Sequence, residues 1–90
     1  MPRARLRFWQ DPDGPEVDWV LEHEGRLLPI EVKYTDRPTE RDLRHLEVFM
    51  LEYEARRGIV VCTAPRAALL AKKVTAVPWF ELPDALGDGA

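Results

Sequence analysis

Residues 16–34, EVDWVLEHEGRLLPIEVKY, constrain the fold more than any other stretch of the chain. Two apolar-rich runs flank a Glu-Gly pair, and a two-residue turn at Glu24-Gly25 sets His23 against Arg26, so that paired positions sum to 49. That register places Val17 against Val32, Trp19 against Ile30 and Leu21 against Leu28, a wholly apolar face. On the other face Asp18 stands opposite Glu31 and Glu16 opposite Lys33. Two carboxylates therefore share one sheet surface beside a lysine.

The rest of the chain gives this hairpin its setting. Residues 4–10, ARLRFWQ, alternate with period two and read as a preceding strand, closed by the turn cluster DPDGP. After TDRP breaks the sheet, Thr39 with Asp42 three residues on reads as a capping box. Leu43, Leu46, Phe49, Met50 and Tyr53 then recur at helical spacing, which predicts a helix running to about Arg57 and stopped by Gly58. IVVC, residues 59–62, is a continuous apolar run suited to a strand covered on both faces. Pro65–Lys73 reads as a short helix, VTAV (74–77) as another strand, and Pro78 as a tolerated helix start. The order is βββ-α-β-(α)-β, an α/β mixed sheet with one long helix packed on it. The expectation is a single domain over residues 1–86 with a frayed tail at 87–90.

Composition narrows the function classes. The sequence is 46% hydrophobic and 32% charged with one cysteine, Cys62, which excludes an internal disulfide and fits a reducing cytoplasm. No apolar run approaches the roughly 20 residues of a membrane helix. The net charge of −3 gives no general affinity for nucleic acid, so such a partner needs local basic groups or metal ions. Arg5 and Arg7, alternating with Arg3 on one strand face, suit phosphates; they equally suit a solvated edge strand. No glycine-rich phosphate loop is present, and His23, His45 and Cys62 lack a zinc spacing.

The acid face has a chemical reading. Glu31 and Lys33, two apart, project to one side of a strand, and Asp18 reaches that side from its neighbour. Facing carboxylates on a sheet repel at a cost of up to roughly 1 kcal/mol. A hard cation such as Mg²⁺ relieves this, since it takes one or two carboxylates plus waters and phosphate oxygens. Lysine beside it suits orientation of a water or stabilisation of a pentavalent phosphorus.

EVDWV…PIEVK resembles the bipartite signature of the PD-(D/E)XK nuclease superfamily, an acid on one strand and Glu-x-Lys on the next. FWQDPDGPEVDWVLEHEGRLLPIEVKY, with GIVVC and VPWFELP downstream, is similar to the C-terminal nuclease-like domain of unknown function of prokaryotic AAA-type ATPases. The resemblance runs from about Leu6 to Leu86. It implies a restriction-endonuclease-like fold, metal ligation by Asp18, Glu31 and the backbone carbonyl of Val32, and Lys33 as the catalytic lysine. It also implies Mg²⁺ or Mn²⁺ as cofactor, nucleic acid (DNA first) as substrate, and an ATPase among the partners. Two departures stand out. The superfamily core opens with a helix that often carries another acid, whereas this chain starts at the first strand. Tyr34 and Thr35 follow Lys33 where the ATPase-linked domains usually have a small hydroxyl residue directly.

Two expectations from different classes follow. One is a cytoplasmic metal-dependent phosphodiesterase that uses Asp18, Glu31 and Lys33, with Arg5 and Arg7 on substrate. The other is a catalytically silent binding or dimerisation module of the same fold, derived from a larger ATPase. In that reading the acids are the wet face of an amphipathic sheet, and Glu16–Lys33 is a surface ion pair of little energetic weight. Without the opening helix, apolar sheet surface is left uncovered, which predicts a symmetric homodimer through Trp79 and Phe80 or the first strand. Trp9, Trp19 and Trp79 read as core or interface rather than base-stacking residues.

Overall fold

The structure is a computed structural model, and it describes residues 5–8, as backbone, and 17–83. Its strands are β1 (Arg5–Phe8), β2 (Trp19–His23), β3 (Arg26–Val32), β4 (Gly58–Cys62), β5 (Ala68–Ala71) and β6 (Val74–Pro78). A 3-10 turn (Glu40–Leu43) leads into one α-helix, α1 (Arg44–Glu52), and a second 3-10 turn (Trp79–Glu81) follows β6. The six strands form one mixed sheet in the order β1-β2-β3-β4-β6-β5. β3, β4 and β6 run parallel, and the outer pairings are antiparallel. The architecture is α/β. Among the described residues no helix is long and apolar enough to cross a membrane.

The hairpin forms as its sequence dictates. Glu24 (φ 52°) and Gly25 (φ 78°) both take positive φ, as a two-residue type I′ turn requires. The ladder runs from Trp19↔Ile30 to His23↔Arg26, the expected register. It stops short of the expected Asp18↔Glu31 and Val17↔Val32 pairs. Val17 is 3% exposed and packs with Val20 in the helix-side core instead of lying across from Val32, which is 48% exposed. Residues three apart on a regular strand point to opposite faces, so the chain must turn between them, and it does so in a bend at Asp18. The Val32 N–H donates to the Asp18 carboxylate at 2.8 Å. A side-chain acceptor here takes the donor that a continuing β2 would otherwise have to meet.

The capping box opens the 3-10 turn that leads into the helix: the Thr39 N–H donates to Asp42 Oδ2 at 2.8 Å. It ends at Glu52, not near Arg57. Glu54 adopts left-handed backbone (φ 55°), and the Ala55 N–H returns to the Met50 carbonyl at 2.9 Å. That 6→1 bond closes a Schellman-type terminus, with Ala55 and Met50 in the same apolar cluster. Gly58 therefore does not stop the helix. It opens β4, and a Cβ there would lie 2.9 Å from Leu46 Cδ2 and 2.9 Å from Met50 Sδ. Glycine lets α1 sit close over the sheet.

The span Pro65–Lys73 holds β5, not a helix. Its nine residues fall short of the roughly 12–15 needed for helical stability without packing. Pairing with β6 satisfies the backbone of Ala68–Ala71 instead. Gly58–Cys62 is buried throughout, as its apolar run requires. Apolar side chains pack on both faces of the sheet. Val20, Leu43, Leu46, Phe49 and Val60 join under α1, while Leu21, Leu28, Ile30, Ile59, Val61 and Val77 pack on the other side.

Candidate functional site

The parallel strands bring their carboxyl ends to one edge of the molecule. Val32, Val61 and Val77 lie level across β3, β4 and β6, and the chain leaves the sheet within one residue of that level on each strand. In open α/β sheets this is the end where ligands bind. Asp18, Glu31 and Lys33 are all found there.

Glu31 pairs with Val60, a residue of the helix-side core, which places it on the face covered by α1. It is 8% exposed and is the one buried charged side chain among the described residues. Glutamate rarely occupies such a position unless something compensates its charge. The wet-face reading of the acids is corrected at this residue: Glu31 lies beneath the helix layer, not on a solvated surface. Lys33, two residues on and half-buried, belongs to the same strand side, and its N–H donates to the Val61 carbonyl at 2.8 Å. The Thr63 N–H donates to the Thr35 carbonyl at 2.9 Å, so the segment beyond Lys33 is fastened to the end of β4.

Asp18 arrives from the bend before β2. Its Oδ2 accepts the Val32 N–H, which belongs to the peptide that follows Glu31. This hydrogen bond fixes the carboxylate at the carboxyl end of β3. An ionised carboxylate has about four acceptor sites, so one N–H leaves most of its capacity open. The donor set is then two carboxylates and the Val32 carbonyl, all hard oxygen, which fits a Mg²⁺- or Mn²⁺-type ion completed by water. Among the described residues there is no group of three or more His, Cys, Asp or Glu side chains suited to a metal.

The remaining expected residues are not gathered here. Glu16 lies outside the described residues, and with it the expected Glu16–Lys33 pair. Arg5 and Arg7 register on β1 against Glu22 and Val20, two strands from β3 or roughly 10 Å at the usual strand spacing. A cavity of about 340 Å³ lies at the opposite end of the hairpin, lined by His23, Arg26, Leu28, Tyr53 and Arg57 among others, and the acid site does not open into it.

At the carboxyl edge the structure adds Tyr34 to the Trp79 and Phe80 that the sequence reading offered as an interface. Tyr34, directly after Lys33, is 97% exposed; Trp79 and Phe80, directly after β6, are 66% and 56% exposed. Trp79 is therefore not core. Its ring meets Phe80 edge-to-face, centroids 5.7 Å apart at 88°. The available signal was Pro78, which ends β6 and throws the next two residues out of the sheet.

A family described as "Domain of unknown function (DUF4143)" matches residues 2–82. The chain belongs to the DUF4143 family. The match spans the whole described sheet together with Asp18, Glu31, Lys33 and the Trp79-Phe80 pair, so the candidate site is part of the DUF4143 domain proper. Searches of curated proteins and of solved structures return no match.

Proposed function

We propose that this DUF4143 domain is a metal-dependent phosphodiesterase acting on nucleic acid, with a sheet of restriction-endonuclease-like type. The observation that carries the reading is the burial of Glu31 at the carboxyl end of β3, with Asp18 bonded to the very next backbone N–H. Burial of a carboxylate costs free energy, and a bound hard cation is one way to offset that cost. Asp18, Glu31 and the Val32 carbonyl would hold Mg²⁺ or Mn²⁺. Such an ion supplies an acidified water and neutralises charge on a phosphodiester. Lys33, half-buried just past the end of β3, would orient the attacking water and meet charge developing on phosphorus.

A second reading has its own observation. The Asp18–Val32 hydrogen bond fastens the segment before β2 to β3, which suits a silent scaffold that pairs with a second copy through Trp79 and Phe80. Nicking of supercoiled and single-stranded DNA with Mg²⁺ or Mn²⁺, with Lys33→Met purified in parallel, separates the two. The nuclease reading expects cleavage by the wild type alone. Equal signal from both preparations sinks it.

A further inference from the structure

The hydrogen bonding between β3 and β4 continues past the last residue of β3, but not in regular register. The Lys33 N–H donates to the Val61 carbonyl at 2.8 Å, one step beyond the Val32↔Val61 pair. In a regular parallel ladder the next bond would run from the Thr63 N–H to the Lys33 carbonyl, since the bonds are evenly spaced along both strands. It runs instead to the Thr35 carbonyl, at 2.9 Å. The chain after β3 has therefore gained two residues on the chain after β4. The surplus is closed by a tight three-residue turn, in which the Thr35 N–H donates to the Lys33 carbonyl at 2.8 Å. Tyr34 is the apex of that turn and is 97% exposed. Bulges bend a strand and re-aim its side chains, and they occur often beside functional sites.

Every bond that closes this bulge passes through Thr35. Its N–H takes the Lys33 carbonyl, its carbonyl takes the Thr63 N–H, and its Oγ1 accepts the Arg37 N–H at 3.1 Å. The last of these is a side-chain-to-backbone turn of the kind serine and threonine hydroxyls make. Lys33 is thereby held at both backbone groups, although β3 has ended at Val32. A plain fastening of the two strands would need no such detour. The regular bond from Thr63 to Lys33 would tie them equally well, with two fewer residues to order, and ordering backbone costs free energy. The detour gains no burial at Tyr34 in return.

We propose that Thr35 is the positioning residue for Lys33: by pinning the bulge after β3 it fixes the main chain from which the lysine meets the Asp18–Glu31 site. The inference rests on the phosphodiesterase reading, in which Lys33 acts on the attacking water. Thr35 touches nothing that reacts. It contributes by holding a flexible side chain's point of attachment, and small errors in such placement are costly to catalysis.

The test is nicking of supercoiled DNA with Mn²⁺, read as kcat and KM separately, with metal response followed by melting temperature. Thr35→Val keeps the side-chain shape and loses Oγ1. Its kcat should fall about tenfold, less than the roughly 100-fold of a 1 Å misplacement because the backbone bonds remain, with KM and metal response unchanged. Thr35→Ser should restore most of the loss. Deletion of Tyr34 and Thr35 should let Thr63 bond Lys33 in regular register, so that the fold persists by circular dichroism while kcat falls about 100-fold or more. Thr35→Val and Thr35→Ser decide the matter should the deletion not fold. Wild-type kcat in Thr35→Val overturns the proposal, as does a Thr35→Ser variant no better than Thr35→Val. A metal response lost along with kcat also overturns it, since that marks Thr35 as a prop of the whole site. Wild-type protein that nicks no DNA removes the phosphodiesterase reading and this inference with it, whereas nicking that is indifferent to Thr35 removes the inference alone.

Discussion

Asp18→Asn separates structural from metal-binding roles in one residue. The amide oxygen of asparagine can still accept the Val32 N–H that Asp18 Oδ2 receives at 2.8 Å, so the bend before β2 should persist. What is lost is charge. Hydrogen bonds to charged groups contribute about 1.5–3 kcal/mol and neutral ones about 0.5–1.5, so the substitution removes about 1 kcal/mol at most at this half-exposed position. Without metal that corresponds to a fall in Tm of about 4–8 °C for a domain of this size. Asp18→Ala removes the acceptor altogether; water can reach the freed N–H, which keeps its cost near the lower end of about 1–3 kcal/mol. The metal response is the larger signal. At tenfold excess over Kd, a bound cation adds about 1.4 kcal/mol, and Tm should rise by about 6–11 °C in the wild type. Asp18→Asn should show almost none of that rise. The assay is differential scanning fluorimetry against MnCl₂ and MgCl₂ titrations, with CaCl₂ as a hard-oxygen control. Equal metal stabilisation of wild type and Asp18→Asn would refute the proposed ligand set.

Three further outcomes are expected. Gly58→Ala should lose about 1–2 kcal/mol in urea unfolding, because its Cβ would lie 2.9 Å from Leu46 Cδ2 and Met50 Sδ, where overpacking costs about 1–3 kcal/mol and flexible Met50 gives way in part; unchanged stability would show that α1 does not need this close approach. Glu54→Gly should raise Tm by a few degrees, since left-handed backbone costs a non-glycine residue about 1–2 kcal/mol and glycine almost nothing; a lower Tm would place the stability of this turn in the Glu54 side chain. Glu31→Gln keeps size and acceptor while removing charge, so metal-free stability should stay within about 1 kcal/mol of the wild type and the metal response should vanish; a loss of 3–5 kcal/mol would instead mark Glu31 as one half of a structural buried ion pair.

The hairpin was legible because its signals are local and agree. Positive-φ turn residues and period-two alternation give one register. The capping box and the buried run of β4 are local in the same sense. Features that depend on distant partners were not legible. The helix ends early because Ala55 finds Met50 and the core, a packing event that no propensity records. Residues 68–71 are a strand because β6 offers an edge, although their composition suits a helix equally well. At the candidate site, the sequence expected Asp18 and Lys33 on strands with Glu31; Glu31 is on β3, whereas Asp18 lies in the bend before β2 and Lys33 just past β3. The bend at Asp18 was hidden because a side-chain acceptor can end a ladder at any residue that bears one. The place of Trp79 was left open between core and interface, because an apolar run looks the same whether it is buried or turned outward.

Strand alternation says which side a residue takes, and the layer above decides how wet that side is. Along the helix side of β3, Leu27 is half-buried, Pro29 is sealed, Glu31 is 8% exposed and Lys33 is half-buried again. The silent-module expectation set Glu31 and Lys33 together on one wet face; the helix layer ends between them. Two residues earlier, at Pro29, a carboxylate would have no route to solvent or to an ion. Two residues later, at Lys33, it would be hydrated and screened, and its field on a bound group correspondingly weak. Glu31 is the last covered position and Lys33 the first that opens, so the acid has a low-dielectric setting while the ammonium can meet a ligand arriving from solvent. Such a ligand has to come over the carboxyl edge, and the first surfaces it meets there are Tyr34, Trp79 and Phe80. The recessed acid and the aromatic rim are consistent with a single path of approach.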